Sequence, residues 1–255
     1  MKKLFLTLIA LAATMSIDAQ IVKITNGDQL LAKYLVPNGG KVVFEKAPPI
    51  TGSVYAKEPN CKIGWVQLWL DGPKFAVCNI GAENNKPEDY GGYYTWGGTY
   101  KNGPGITWKD DHNDGESNLS CTGDNITDTA TKLWGDNWRM PTKEEFDALI
   151  NNKNCTCQLT TQNGVNGLLC KGKEGTAFES NSVFFPAAGS DYGGHVDRQA
   201  IEGDYWSASP SKSESHYLYF NCTSDKLEEA NNTRKIGYSV RAVLNEAYAT
   251  DGNER

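Results

Sequence analysis

A chain of 255 residues, 39% of them hydrophobic and 22% charged, is long enough to bury a sizeable core in one globular domain of ordinary size. Its formal charge of −6 is spread without a basic stripe, which excludes the electrostatic footprint of a nucleic-acid or anionic-lipid binder. Seven cysteines, at positions 61, 78, 121, 155, 157, 170 and 222, allow disulfides in an oxidising compartment, leave at least one thiol unpaired and leave the connectivity open.

In chain order, Lys2 and Lys3, the apolar run of residues 4–13 and a short polar stretch ending on Ala19 have the layout of a secretory signal peptide (1–19), with cleavage expected after Ala19. The apolar run falls short of the about 20 residues that cross a bilayer, and no later stretch is comparable, so no membrane span is expected. The leader carries Lys2, Lys3 and Asp18, a net of +1, so its removal takes the charge from −6 to −7. No cysteine sits near the cleavage point to carry a lipid.

Residues 20–55 read as a small β-rich segment and linker. Strands are expected at 21–25, 29–36 and 41–46, separated by the turn residues Asn26-Gly27 and Asn38-Gly39-Gly40. Residues 47–55, with Pro48-Pro49 and Gly52, are punctuated like a linker. A larger domain is expected over 56–245, followed by a frayed tail at 246–255. It opens with a hairpin pattern, residues 65–70 and 75–80 around Asp71-Gly72. A short helix is expected from an Asp128 cap through Ala130 and Leu133. The clearest helix, residues 142–151, has Thr142 as cap, Glu145 three residues on to complete a capping box, and Phe146, Leu149 and Ile150 on one face. Beyond residue 155 the chain is rich in Gly, Ser, Asn and Asp, with short β runs at 183–186, 217–221 and 239–244. Few helices and many turns point to an α+β domain with long loops.

Candidate chemistry divides into patterns that serve structure and one that serves binding. Trp134, Trp138, Arg139 and Pro141 are spaced to bury two aromatics around a Gly-Asp turn, with Arg139 expected to pair with Glu144 or Glu145. The acidic run 109–116 offers hard oxygen donors. With Gly115 at the sixth position of a calcium loop, however, the third is His112 and the twelfth is Cys121, where a bidentate Glu is required. Cys155-Thr156-Cys157 is too tight for a structural zinc site. No metal is therefore expected. The three histidines, at 112, 195 and 216, have no G-x-S-x-G elbow to serve, and no catalytic residue is assigned. The strongest binding candidate is the loop 190–198. Tyr192 offers a stacking face, Asp191 and Asp197 hydrogen-bond acceptors, Arg198 a two-point fork for an acidic group, and His195 a further polar group, with Tyr217 and Tyr219 nearby. The plain alternative is a connector that holds no ligand.

Several motifs occur in a fixed order: FAVCNIGA (75–82), PEDYGGYYTWG (87–97), WGDNWRMPTKEEF (134–146), TTQNGVNG (160–167), FPAAG (185–189), YWSAS (205–209) and GYSVR (237–241). Together they resemble the Fibrobacter succinogenes major paralogous domain family, common in exported proteins of Bacteroidetes, over about residues 61–244. The resemblance implies a C-type-lectin-like α+β core distantly similar to formylglycine-generating enzymes. It departs from the family at Phe146, where Trp is usual, and at Cys157, where an aromatic is frequent. Formylglycine-generating enzymes hold copper on a cysteine pair near the chain end. Here only Cys222 lies in the last third, so no catalytic residue or cofactor is carried over. Asp128-Thr129-Ala130 resembles the O-glycosylation acceptor of such exported proteins and marks Thr129.

The resulting expectation is a secreted or cell-surface, non-enzymatic domain that binds glycan or extracellular protein. The alternatives are a structural or adhesion subunit that self-associates and an enzyme of the formylglycine-generating type.

Overall fold

The structure, a computed structural model, describes residues 19–26, 29–37, 51–57, 61–99 and 128–246. The chain divides into two units, 1–48 and 49–255. In the first, β1 (Ala19–Asn26) pairs antiparallel with β2 (Gln29–Pro37), with a register shift between Ile24 and Thr25. These strands contain the expected runs 21–25 and 29–36. The expected strand 41–46, the leader before Ala19, the acidic run 109–116 and the tail from 247 lie outside the described residues.

The second unit is mostly antiparallel strand with two helices, an α+β arrangement of open sheets. A five-stranded sheet has the order β3 (Thr51–Tyr55), β4 (Lys62–Gln67), β5 (Lys74–Ala76), β15 (Val243–Leu244), β6 (Trp138–Arg139). Residues 51–55, read from sequence as linker, thus form an edge strand, paired from Thr51↔Val66 to Tyr55↔Lys62. Two three-stranded sheets follow, β7 (Cys155–Gln162), β8 (Val165–Gly172), β9 (Ser182–Pro186) and β12 (Glu202–Ser211), β13 (Glu214–Asn221), β14 (Lys226–Thr233). Between them β10 (Ser190–Tyr192) and β11 (His195–Asp197) make a hairpin.

Local chemistry sets both helices. Asp128 caps α1 (Thr129–Trp134): its Oδ1 accepts the Thr131 N–H at 2.9 Å, and its Oδ2 accepts the Met140 N–H at 2.9 Å. Burial pushes this carboxyl up to about 6. In α2 (Lys143–Ile150) Thr142 and Glu145 form the reciprocal capping box, and Phe146 and Leu149 are completely buried. Glu145 is also the partner of Arg139, through a two-point contact at 2.7 and 2.6 Å that ties β6 to the helix start.

Two apolar clusters fill the unit. One gathers Ile63, Trp96, Trp138, Trp206 and Tyr238; the other gathers Phe75, Phe146, Phe185, Tyr205 and Phe220. Arg241 lies completely buried beside the second and meets no carboxylate of a described residue. Its fork donates to Asn79 Oδ1 (2.8 Å), Ala76 O (3.0 Å) and Phe184 O (2.9 Å), so one side chain joins three chain segments. Cys157 and Cys170, directly opposite each other across β7 and β8, are joined by a disulfide. Cys61, Cys78, Cys155 and Cys222 are free thiols, and Cys121 lies outside the described residues.

Candidate functional site

Strand alternation divides the β12–β14 sheet into two faces. Tyr205, Leu218 and Phe220 enter the apolar cluster shared with Phe146 and Leu149 of α2. The approach is tight: a Cβ on Gly203 would lie 2.1 Å from the Phe220 ring. The opposite face carries Glu202, Asp204 and Trp206 on β12, opposed by Asn221, Tyr219 and Tyr217 on β13, with Lys226, Glu228 and Ala230 across from those on β14. This face changes character along its length. At one end Trp206 and Tyr217 are buried under Tyr238, whose ring centre lies 4.4 and 4.7 Å from theirs. The other end is polar.

The polar end is organised by Glu202. Its Oε1 accepts from Arg198 Nη1 (2.7 Å), Tyr219 OH (2.8 Å) and Asn221 Nδ2 (2.8 Å). Lys226 binds Glu228 at 2.6 Å and places its ammonium 5.3 Å from the Tyr219 ring centre. Asp204, two residues along the same face, is only 4% exposed, and its carboxylate accepts no hydrogen bond from a described residue. Burial, followed by the negative charge of Glu202, pushes its carboxyl up to about 7, against the opposing pull of Arg198. Burial and the nearby Asp204 in turn push the Tyr217 hydroxyl up to about 12. Residues 237–239 run alongside β12, with the Ser239 N–H donating to Asp204 O and the Trp206 N–H to Ser239 O, both at 3.0 Å. That segment is what sets Tyr238 over the face.

The sequence-derived candidates are only partly assembled here. Residues 190–198, read as a loop, form the β10–β11 hairpin, whose turn uses Gly193 and Gly194 at φ +64° and +85°. Tyr192 pairs with His195 and Ser190 with Asp197, which places these four on one face and Asp191 with Val196 on the other. Tyr192, His195 and Asp197 are exposed, Tyr192 to 60%. Asp191 is not a surface acceptor. It is buried, its backbone pairs with Gly237, its Oδ1 accepts the Gly194 N–H at 2.8 Å, and it serves the turn. Arg198 does reach Tyr219, through their shared partner Glu202, and lies 3.7 Å from Asp197. Tyr217 is core, edge-on to Trp206 at 5.9 Å.

Glu202, Asp204, Asn221 and Tyr238 were missed by sequence reasoning. The available signal was the alternation of acid and aromatic at 202, 204 and 206, which reads equally well as an exposed strand face. Thr129, marked in the sequence as a glycosylation acceptor, is fully buried, and its hydroxyl donates to Gly98 O at 2.7 Å.

Among the described residues, no group of three or more His, Cys, Asp or Glu is placed to hold a metal ion, and no helix is long and apolar enough to cross a membrane. His195 lies on the hairpin and His216 pairs with Glu229 on the opposite face of the sheet. A separate cavity of about 220 Å³ lies between α1 and residues 80–85, walled by Ile80, Ala82, Tyr94, Leu133 and Trp134. Comparison with family models, curated proteins and solved structures finds no match to this chain.

Proposed function

We propose that this chain is an exported, non-enzymatic domain of C-type-lectin-like type that binds a glycan or an extracellular protein. The binding surface is the 190–198 hairpin together with the polar end of the β12–β14 face. The observation that carries this reading is the convergence of Arg198, Tyr219 and Asn221 on one oxygen of Glu202, continuous with a hairpin that exposes Tyr192, His195 and Asp197. Polar side chains locked by one another and flanked by aromatic faces are a preorganised surface for hydroxyl-bearing or peptide ligands. The ordered motifs of residues 75–241 support membership of the Fibrobacter succinogenes major paralogous domain family, and the leader supports export with Gln20 as the first mature residue.

The test is a binding screen of the exported protein against glycans and extracellular proteins, run with and without a chelator, after N-terminal sequencing of that protein. For a ligand found, Tyr192→Ala and Arg198→Ala should each weaken affinity by about tenfold and leave the melting temperature nearly unchanged. If both variants bind like the parent, the surface lies elsewhere. Self-association with no ligand in the screen would favour a structural subunit.

A further inference from the structure

The cavity beside α1 has a buried floor and an open rim. Ile80, Tyr94 and Trp134 are buried, whereas Ala82, Asn85 and Leu133 around them are partly exposed, so the hollow opens to solvent at that rim. None of its lining residues carries a charge. Its volume of about 220 Å³ exceeds the ~150 Å³ in which an engineered apolar cavity holds benzene, and falls below the ~300 Å³ at which drug-sized sites begin. One substituted ring is the size of occupant it admits.

Two polar groups on the floor residues have no protein partner. Tyr94 is 2% exposed, and its hydroxyl meets the Gly81 wall of the cavity, 2.7 Å from where a Cβ on that glycine would lie. Neither this hydroxyl nor the Trp134 indole N–H makes a hydrogen bond with a described residue. Both atoms stay accessible, unlike the indole N–H of Trp138, which is sealed in the core. At the rim the Asn85 amide donates to Cys61 Sγ at 3.3 Å and accepts from the Cys78 thiol at 3.8 Å, weak sulfur contacts that a better partner can replace.

A hydroxyl left unpaired in a largely apolar cavity favours a ligand group that completes its hydrogen bonding. The Tyr94 and Trp134 rings favour contact with another aromatic ring. A hexose, with hydroxyls all round its ring, would leave most of them unpaired here, and a carboxylate or ammonium would lose its hydration against uncharged walls. We infer that this cavity binds a neutral single-ring phenol, with the ring among the apolar walls and the phenol hydroxyl on that of Tyr94. The site shares no residue with the glycan or protein surface proposed above and takes a different class of ligand.

The protein is titrated calorimetrically with p-cresol, toluene, 4-hydroxybenzoate and methyl α-glucoside at about pH 7, where a phenol of ordinary pKa, about 10, is neutral. p-Cresol should bind saturably, about fivefold tighter than toluene and at least about tenfold tighter than 4-hydroxybenzoate or the glucoside. Tyr94→Phe should abolish the preference for p-cresol over toluene. Ala82→Phe, which puts a ring into the rim, should weaken p-cresol by at least about tenfold and leave the melting temperature nearly unchanged. If Ala82→Phe folds poorly, the ligand series on the parent chain and the Tyr94→Phe comparison still decide. N-acetyltyrosinamide separates two sources of the phenol: affinity equal to that of p-cresol assigns the site to a tyrosine side chain of a partner, and affinity about tenfold weaker assigns it to a free phenol, either result upholding the site. No saturable p-cresol binding, equal affinity for 4-hydroxybenzoate or the glucoside, or a preference over toluene that survives Tyr94→Phe overturns the inference.

Discussion

Glu202 and Asp204 lie two residues apart on one face of β12, yet one carboxylate oxygen of Glu202 receives three donors and the Asp204 carboxylate receives none from a described residue. The difference follows from what stands opposite each. Asn221 faces Glu202 across the strand pair, and the Tyr219 hydroxyl, which stands opposite Asp204 in register, turns to Glu202. Asp204 is left between aromatic rings.

This contrast makes a pH prediction. The Asp204 carboxyl is raised from an ordinary 3.8 to about 7, so the folded state holds its proton more tightly than the unfolded chain does. Stability from this group is complete below about pH 4 and falls as pH rises toward 7, because the unfolded chain ionises freely while the folded one resists. Replacing Asp204 with Asn removes that penalty. The variant should therefore be more stable than the parent at about pH 8, by on the order of 2 kcal/mol or about 4–8 °C in Tm, and equal to it near pH 4. Thermal unfolding at the two pH values checks this, and an equal Tm difference at both would refute it.

The second prediction concerns α2. Phe146 is completely buried in the cluster with Phe75 and Phe185, on a helix whose start is fastened by Thr142, Glu145 and Arg139. Phe146→Ala should cost about 3–5 kcal/mol through lost burial and a residual cavity. Denaturant unfolding should show the midpoint falling with an unchanged slope; an unmoved midpoint would mean that the helix does not pack on this core.

The third prediction concerns the cysteines. Non-reducing peptide mapping of the protein should recover the Cys157–Cys170 link across β7 and β8, thirteen residues apart. Reduction, or Cys157→Ala, should lower stability by at most about 3 kcal/mol, the chain-entropy value for a loop of this size. Recovery of Cys155–Cys170 in its place would revise the pairing.

Legibility in the sequence follows the range of the interactions. The Asp128 cap, the Thr142–Glu145 box and the Arg139–Glu145 pair span three to six residues, and each could be expected from residue type and spacing. The turn of the β10–β11 hairpin carried its own glycines, but the backbone partner of Asp191 is Gly237, far along the chain. Arg241 was visible as part of a motif, whereas its partners lie 57 to 165 residues away.

The sequence by itself determined the two helix caps, an α+β composition and the aromatic content of the core, because these depend on local periodicity and on backbone groups within one turn. The tertiary structure decided which carboxylates are bonded and which are bare, that Tyr217 is core while Tyr192 is exposed, and that Thr129 is enclosed. The physical reason is that a strand residue's surroundings are set by the strands beside it and the segments laid over it. The Tyr238 ring over Trp206 and Tyr217, placed by residues 237–239 alongside β12, turns one half of a sheet face into core and leaves the other half polar.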